Sequence, residues 1–393
     1  MCENRATFAL NLNARRLDPI FYGYTILELS LAGVLLLTFA VQLYYYLGKY
    51  GRIATYKQKV SREQPPVSVV VVLNDSLLFV EETLPLLLEQ DYDLFEVVVV
   101  DNGSSVEVVE ALEIQQARYP HLKCTRINPD PKFKTRRKLA LTVGIKAARF
   151  PNLIFTETQC VPASEKWLAM MAKGFTTGEV VVGYTGIAPK KGFSNRLIRC
   201  ARLMVSMRAL SSAIRGNAYK AQATNMGFTS KLYFDNRGYN YLNLNVGDDD
   251  LFVRKIGNRQ NTAVVINPKA TVQEEFHGGL GRWWNERRYH TYTFRHYPRG
   301  VKAGIFTELF SRLLFFGSAA ACLALMIPYV WIGAIVLLVL RWLALYFTLA
   351  RVCLRLGEKG LFFVFFFYDL ISPISETLLS LSRKIRPSQG IWS

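Results

Sequence analysis

Histidine is scarce in this chain, four among 393 residues, and its six cysteines include no Cys-x-x-Cys pair. Cys2, Cys124, Cys160, Cys200, Cys322 and Cys353 therefore outline no disulfide framework, and with only His121, His277, His290 and His296 beside them they assemble no zinc spacing. Also missing are Gly-x-Gly-x-x-Gly and the Gly-rich Lys-Ser/Thr loop of the P-loop proteins, which argues against a dinucleotide enzyme and an ATPase of that class. Acidic residues are few, 30 Asp and Glu against 48 Lys and Arg, leaving a formal charge of +18. Disorder and fibrous structure are excluded by a composition that is 51% hydrophobic and 13% aromatic.

What is present is spread unevenly. The length suits two to three domain-sized units, with dense apolar runs near both ends and an ordinary mixed sequence between them. A charge of +18 admits nucleic acid as a partner, but much of the excess sits beside the apolar runs, and the Tyr and Phe residues lie in those runs instead of interleaving with cations. Nucleic acid is therefore not the expected partner; a bilayer is.

From Ile26 to Leu47 the chain reads ILELSLAGVLLLTFAVQLYYYL, 22 residues with one charge, Glu28. A helix needs roughly 20 such residues to cross the hydrocarbon core. A cleaved signal peptide would have a shorter apolar core close to a basic start, so residues 1–25 are expected to precede an anchor at 26–47. Lys49, Arg52, Lys57, Lys59 and Arg62 then form a basic linker, 48–65, of the kind retained on the cytoplasmic side. Two further spans are expected at 306–327 and 331–349, joined through Pro328 and Tyr329, with Arg341 snorkelling or facing protein. The last run, 360–382, contains Asp369, Pro373 and Glu376, so a broken re-entrant or interfacial segment is expected in place of a fourth crossing, followed by a basic tail, 383–393. This topology puts the middle, 66–300, in the cytosol, on the inner membrane if the cell is bacterial.

That middle alternates β-branched runs with helical stretches: VSVVVVL, a helix around Val80 to Gln90, FEVVVVD, a helix around Val106 to Tyr119, a helix from Arg137 to Phe150, then a strand from Leu153 to Thr156. A strand made only of Val is buried on both faces, so the expected fold is α/β with a mostly parallel, Rossmann-like sheet. Ligands in such sheets bind at the carboxyl ends of the strands. The residues leaving those ends are Asn74 and Asp75, Asp101-Asn-Gly-Ser104, and Glu157-Thr-Gln159. Taken alone, Asp101 serves equally as the turn-forming aspartate of Asp-Asn-Gly or as an acceptor for a nucleobase or ribose.

Gly247-Asp-Asp-Asp250 precedes an apolar helix start. One acid suffices to cap that helix; three repel one another, and the surplus suits a general base whose pKa is raised by like charge. Both readings stand on the residues alone.

Taken in order, VSVVVVLND, VVVVDNGSS, KLALTVGIKAA, FTETQCVPASEKWL, ATNMGFTSKLYF and GDDDLFVRK resemble an inverting family 2 glycosyltransferase of the processive-synthase and ceramide-glucosyltransferase type, over roughly Pro66 to His296. The resemblance implies a GT-A domain beside membrane helices, and a nucleotide-sugar donor, a UDP-sugar foremost. Carried over by position, Asp101 resembles the aspartate that binds the base, with Asn74 and Asp75 beside it, and Lys138 stands in the place of the lysine on the diphosphate. Asp249 is the implied base that deprotonates the acceptor, with Asp248 and Asp250 close behind.

Two departures follow. Where the family has Asp-x-Asp to hold a cation, this chain has Glu157-Thr-Gln159, which should weaken any Mg2+ or Mn2+ site; His277, before Gly278-Gly279, reads either as a loop residue or as a metal ligand. Where relatives carry Gln-x-x-Arg-Trp on the acceptor side, the nearest match is Glu286-Arg-Arg-Tyr-His290, with Glu286, Arg287 and Arg288 as candidates. Lys134, Arg136, Arg137, Lys138, Arg287 and Arg288 can replace part of the metal's charge on the leaving diphosphate. The expected activity is transfer of one sugar to a lipid or lipid-linked glycan, since few spans make a poor polymer channel unless chains assemble as homo- or hetero-oligomers. The alternative is a catalytically impaired relative that persists as a binding or scaffolding subunit of a membrane glycan-synthesis complex.

Overall fold

A computed structural model of the chain describes residues 25–58, 63–127, 136–239 and 250–385. These form two compact units, one of the residues up to Gly48 with Ala303–Phe347, the other of Lys49–Lys302 with the residues from Thr348 on.

The first apolar run forms helix α1, Ile26–Thr55, which passes through a π-helical turn at Tyr44–Tyr50 and so continues beyond the expected end at Leu47. Its start is fixed by a capping box in which Thr25 accepts from the Glu28 amide and Glu28 accepts from the Thr25 amide. Glu28, the run's one charge, is thereby used at the helix end.

The sheet follows. Strands β1, Val67–Leu73, and β2, Phe95–Asp101, are parallel in register from Val67↔Phe95 to Leu73↔Asp101. Helix α2, Val106–Arg118, leads to β3, Leu122–Arg126; helix α3, Arg136–Ala147, leads to β4, Asn152–Glu157. Short strands β5, Cys160–Pro162, β6, Val180–Val182, and β7, Thr185–Ile187, precede helix α4, Phe193–Ile214. Then come β8, Met226–Thr229, helix α5, Asp250–Ile256, β9, Thr262–Val264, β10, Val272–Glu274, and helix α6, Leu280–His290. Seven strands make one sheet in the order β3-β2-β1-β4-β8-β6-β9, with only β8 antiparallel to its neighbours; β5-β10-β7 make a second.

All seven residues of β1 are buried, as its Val content requires. Each fully buried Val contributes roughly 1.5–3 kcal/mol. Gly144 lets α3 settle on β1 and β2, because a Cβ there would lie 2.6 Å from Val70 Cγ1 and 2.9 Å from Val100 Cγ2. The strand order reverses at β1: the chain winds outward through β2 and β3, then returns to place β4 on the other side. The crevice outside the carboxyl ends of β1 and β4 is where a ligand is expected in such a sheet.

Helices α7, Arg299–Ala324, α8, Val330–Leu356, and α9, Phe362–Ile385, complete the chain. Together with α1 they are four helices long and apolar enough to cross a membrane. In the unit that holds Ala303–Phe347, Arg341 faces protein: it is fully buried, donates to Gln42 Oε1 and to the Tyr46 hydroxyl at 2.8 Å, and lies 4.6 Å from the Phe316 ring. Arg312, 1% exposed, pairs with Glu308 at 2.6 Å.

Beyond Thr348 the chain is tied to the sheet unit. Glu358 accepts from the Tyr184 hydroxyl at 2.7 Å and from Arg199 at 2.6 Å, all three buried. The expected break near Pro373 does not occur, and α9 is one continuous helix packed on α4 and α6. Proline removes the amide that would bond the Asp369 carbonyl, and the Ser372 hydroxyl donates to that carbonyl instead, at 3.4 Å.

Candidate functional site

The parallel register of β1 and β2 sets the residues that leave them side by side. The Asn102 amide donates to Asn74 Oδ1 at 2.7 Å. Asp75 takes a positive φ of 45°, unusual for a residue with a Cβ, and is held there from both sides: its amide donates to Ser104 Oγ at 3.0 Å and its Oδ1 accepts from the Ser105 amide at 2.8 Å. Those bonds from Ser105, amide first and hydroxyl second, hold the Asp75 carboxyl below its ordinary pKa.

Asp101 is 3% exposed. The Ser104 amide donates to its Oδ1 at 2.8 Å, which is the turn-forming role, while Oδ2 lies 3.2 Å from Arg126 Nε without a hydrogen bond among the described residues. The two readings of Asp101 are thus compatible, since one oxygen shapes the turn and the other keeps acceptor capacity. Arg126, at the end of β3, carries no sequence signal beyond its place at a strand terminus.

On the other side of β1, Glu157 ends β4. Arg137 Nη2, from the first turn of α3, donates to its Oε1 at 2.6 Å, and Gln159 Nε2 donates to its Oε2 at 2.9 Å. A hollow beside this pair is lined by Val72, Arg137, Phe155, Thr156, Glu157 and Met226. Arg137 is a cation of α3 on this hollow; Lys138 stands one residue on, its carbonyl accepting from the Thr142 hydroxyl at 2.7 Å.

Glu157 and Gln159 are bonded to each other, and His277 has other partners. Each carboxylate oxygen of Glu157 accepts from one N–H donor, and an amide facing a carboxylate turns its nitrogen to it. His277 pairs instead with Glu275 at 3.5 Å and lies 3.4 Å from Lys190 Nζ. Among the described residues no three His, Cys, Asp or Glu side chains are placed to hold a metal ion.

Of the acidic trio, Asp248 and Asp249 lie outside the described residues, as does Lys134. Asp250 opens α5, is 1% exposed, and is committed: its Oδ2 accepts from the Thr293 hydroxyl and, at 2.6 Å, from the Tyr297 hydroxyl, while Oδ1 takes the Leu251 amide at 2.7 Å. Burial first and the Asp250 charge second push the Tyr297 phenol far above its ordinary pKa. Asp250 is a brace between α5 and the segment after α6.

The acceptor-side candidates on α6 also divide. Arg287 pairs with Glu376 of α9 and lies over the Trp283 ring, which packs α6 on α9. Glu286 pairs with Arg282 at 3.2 Å, and Arg288 follows it half-buried. A pair the sequence did not signal lies beneath: Arg202 of α4 and Glu274 of β10, 2.8 Å apart. Burial raises the pKa of Glu274, Arg202 works against that, and Glu157 and Glu286 push it further up. Glu274 of β10 thus feels the charge of Glu157 from β4 and of Glu286 from α6.

With this geometry in hand, comparison with known proteins is direct. Residues 68–234 match Glycosyl transferase family 2. No curated protein matches the chain in sequence. A mannosyltransferase from Pyrobaculum calidifontis, solved in complex with GDP-Man and Mn2+, aligns with a TM-score of 0.57 at 16% identity, over 93% of this chain and 100% of that one. TarS 1–349 from S. aureus, in complex with UDP-GlcNAc, aligns over 82% of this chain and 93% of that one at 15% identity, with a TM-score of 0.41. The sheet unit has the GT-A fold, and helices able to cross a membrane accompany it.

Proposed function

We propose that the chain is a membrane-bound inverting glycosyltransferase that moves one sugar from a nucleoside diphosphate donor to a lipid or lipid-linked glycan at the cytosolic face. The observation that carries this reading is the convergence of Asn74, Asp101 and Glu157 at the strand-order reversal of a GT-A sheet. Family 2 similarity over residues 68–234 supports glycosyl transfer, and the GDP-Man in the solved mannosyltransferase supports a nucleotide-sugar donor.

In this reading Asp101 Oδ2 accepts from the donor's base, and the diphosphate lies toward β4. Asp249 takes the proton of the acceptor hydroxyl, whose oxygen attacks the anomeric carbon as the bond to the diphosphate breaks, inverting that centre in one displacement. Asp250 fixes the start of α5. Helices α1, α7 and α8 span the bilayer, the cations after α1 keep the sheet unit inside, and α9 lies at the interface with Phe363, Ile371, Ile374 and Leu378 exposed toward lipid.

The test is incubation of the purified chain with radiolabelled UDP- and GDP-sugars and extracted membrane lipids. One labelled sugar per lipid product is expected; extrusion of a long polysaccharide would refute single transfer. Donor binding with no transfer to any acceptor would favour a scaffolding subunit.

A further inference from the structure

We infer that Arg137, held by Glu157 and joined by the Thr156 hydroxyl, hydrogen-bonds the donor diphosphate in place of a divalent cation. This rests on the donor-site reading above and goes beyond it, because it names the group that bonds the diphosphate. Three observations converge on it. Arg137 reaches the hollow at the end of β4 and places its guanidinium 2.6 Å from Glu157. Gln159 donates to the other Glu157 oxygen at 2.9 Å, so the acid holds one N–H donor on each oxygen. Thr156 lines the same hollow at 4% exposure, and its hydroxyl has no hydrogen-bond partner among the described residues. A buried orphan of this kind marks a place where something else is to be bonded.

The physical logic is that N–H donors stand where a metal's coordination would. Divalent cations prefer anionic oxygen, and a bare Glu157 would repel a diphosphate. Arg137 cancels that repulsion. A guanidinium has five N–H donors in a planar fork, so one residue can grip a carboxylate on one edge and phosphate oxygens on another. It cannot lose its proton at any pH the protein meets, and it needs no metal supply.

The experiment is calorimetric titration of the full chain in detergent with UDP and GDP, and with UMP and GMP, in EDTA and again with Mn2+. Expected is binding of at least one diphosphate in EDTA, tighter than its monophosphate, with Mn2+ changing the affinity less than Arg137→Gln does. Arg137→Gln should weaken diphosphate binding roughly 10- to 100-fold and leave the monophosphate unchanged. Diphosphate binding that requires Mn2+, or wild-type affinity in Arg137→Gln, would overturn the proposal while leaving the donor site intact. Failure of every nucleotide in both conditions would overturn the donor site and the proposal with it. Should Arg137→Gln not fold, Arg137→Lys and Thr156→Val carry the same test, and unchanged diphosphate affinity in both would overturn it.

Discussion

Two regions of this molecule pair charged side chains, and they are built differently. In the helical unit Glu308 and Arg312 are 2% and 1% exposed as a pair, and Arg341 is fully covered by Gln42, Tyr46 and aromatic rings. At the carboxyl ends of the sheet the corresponding pair, Arg137 and Glu157, is 34% and 21% exposed and borders a hollow. The difference separates two uses of charge. Groups closed on one another in an apolar setting fix how helices pack, and opening them costs the desolvation of whatever remains. Groups that keep some exposure beside a hollow can still meet a ligand.

Asp249 and Asp250 give the contrast its largest expected effect. Asp249→Asn should lower turnover about 10²- to 10⁴-fold with nucleotide binding and melting temperature retained, measured by initial rates and titration. Asp250→Ala should destabilise the fold by about 2 kcal/mol, because the hydroxyls of Thr293 and Tyr297 lose their buried acceptor. A stable Asp250→Ala without turnover would reverse the two roles. In the helical unit, Glu308→Gln strands the Arg312 charge and should cost about 3 kcal/mol in detergent unfolding, with no change in nucleotide affinity.

The smallest effect is a pH dependence. Glu274 has its pKa raised by burial, so the native state binds its proton more tightly than the unfolded chain does. Its contribution is therefore largest below the ordinary carboxylate range and is lost as pH climbs through the raised value. Melting curves between the two should fall more steeply with pH for wild type than for Glu274→Gln; parallel slopes would remove Glu274 from the charge network.

How much of this is legible from residues alone depends on the range of the interaction. The buried sheet follows from uninterrupted Val, and the position of Asp101 follows from the strand before it, because both are local consequences of one strand's pattern. Asp250 is legible only as one of three equal acids, since its commitment comes from Thr293 and Tyr297, 43 and 47 residues on. Arg137 looks like one cation in a basic stretch until the crossover from α3 to β4 sets Glu157 against it. The pairs Arg202–Glu274 and Arg287–Glu376 likewise depend on which elements meet, and no spacing announces them. Continuity of α9 through Pro373 defeats the proline rule because a neighbouring serine supplies the missing donor and α4 and α6 cover the helix.

The central claim is that the ends of β1, β2 and β4 together hold the donor. Hydrogen–deuterium exchange of the full chain with saturating UDP or GDP tests it most directly. Slowed exchange is expected at 74–76, 102–105 and 157–159, with peptides of α7 and α8 unchanged; bound nucleotide that leaves those three loops exchanging as before would contradict it.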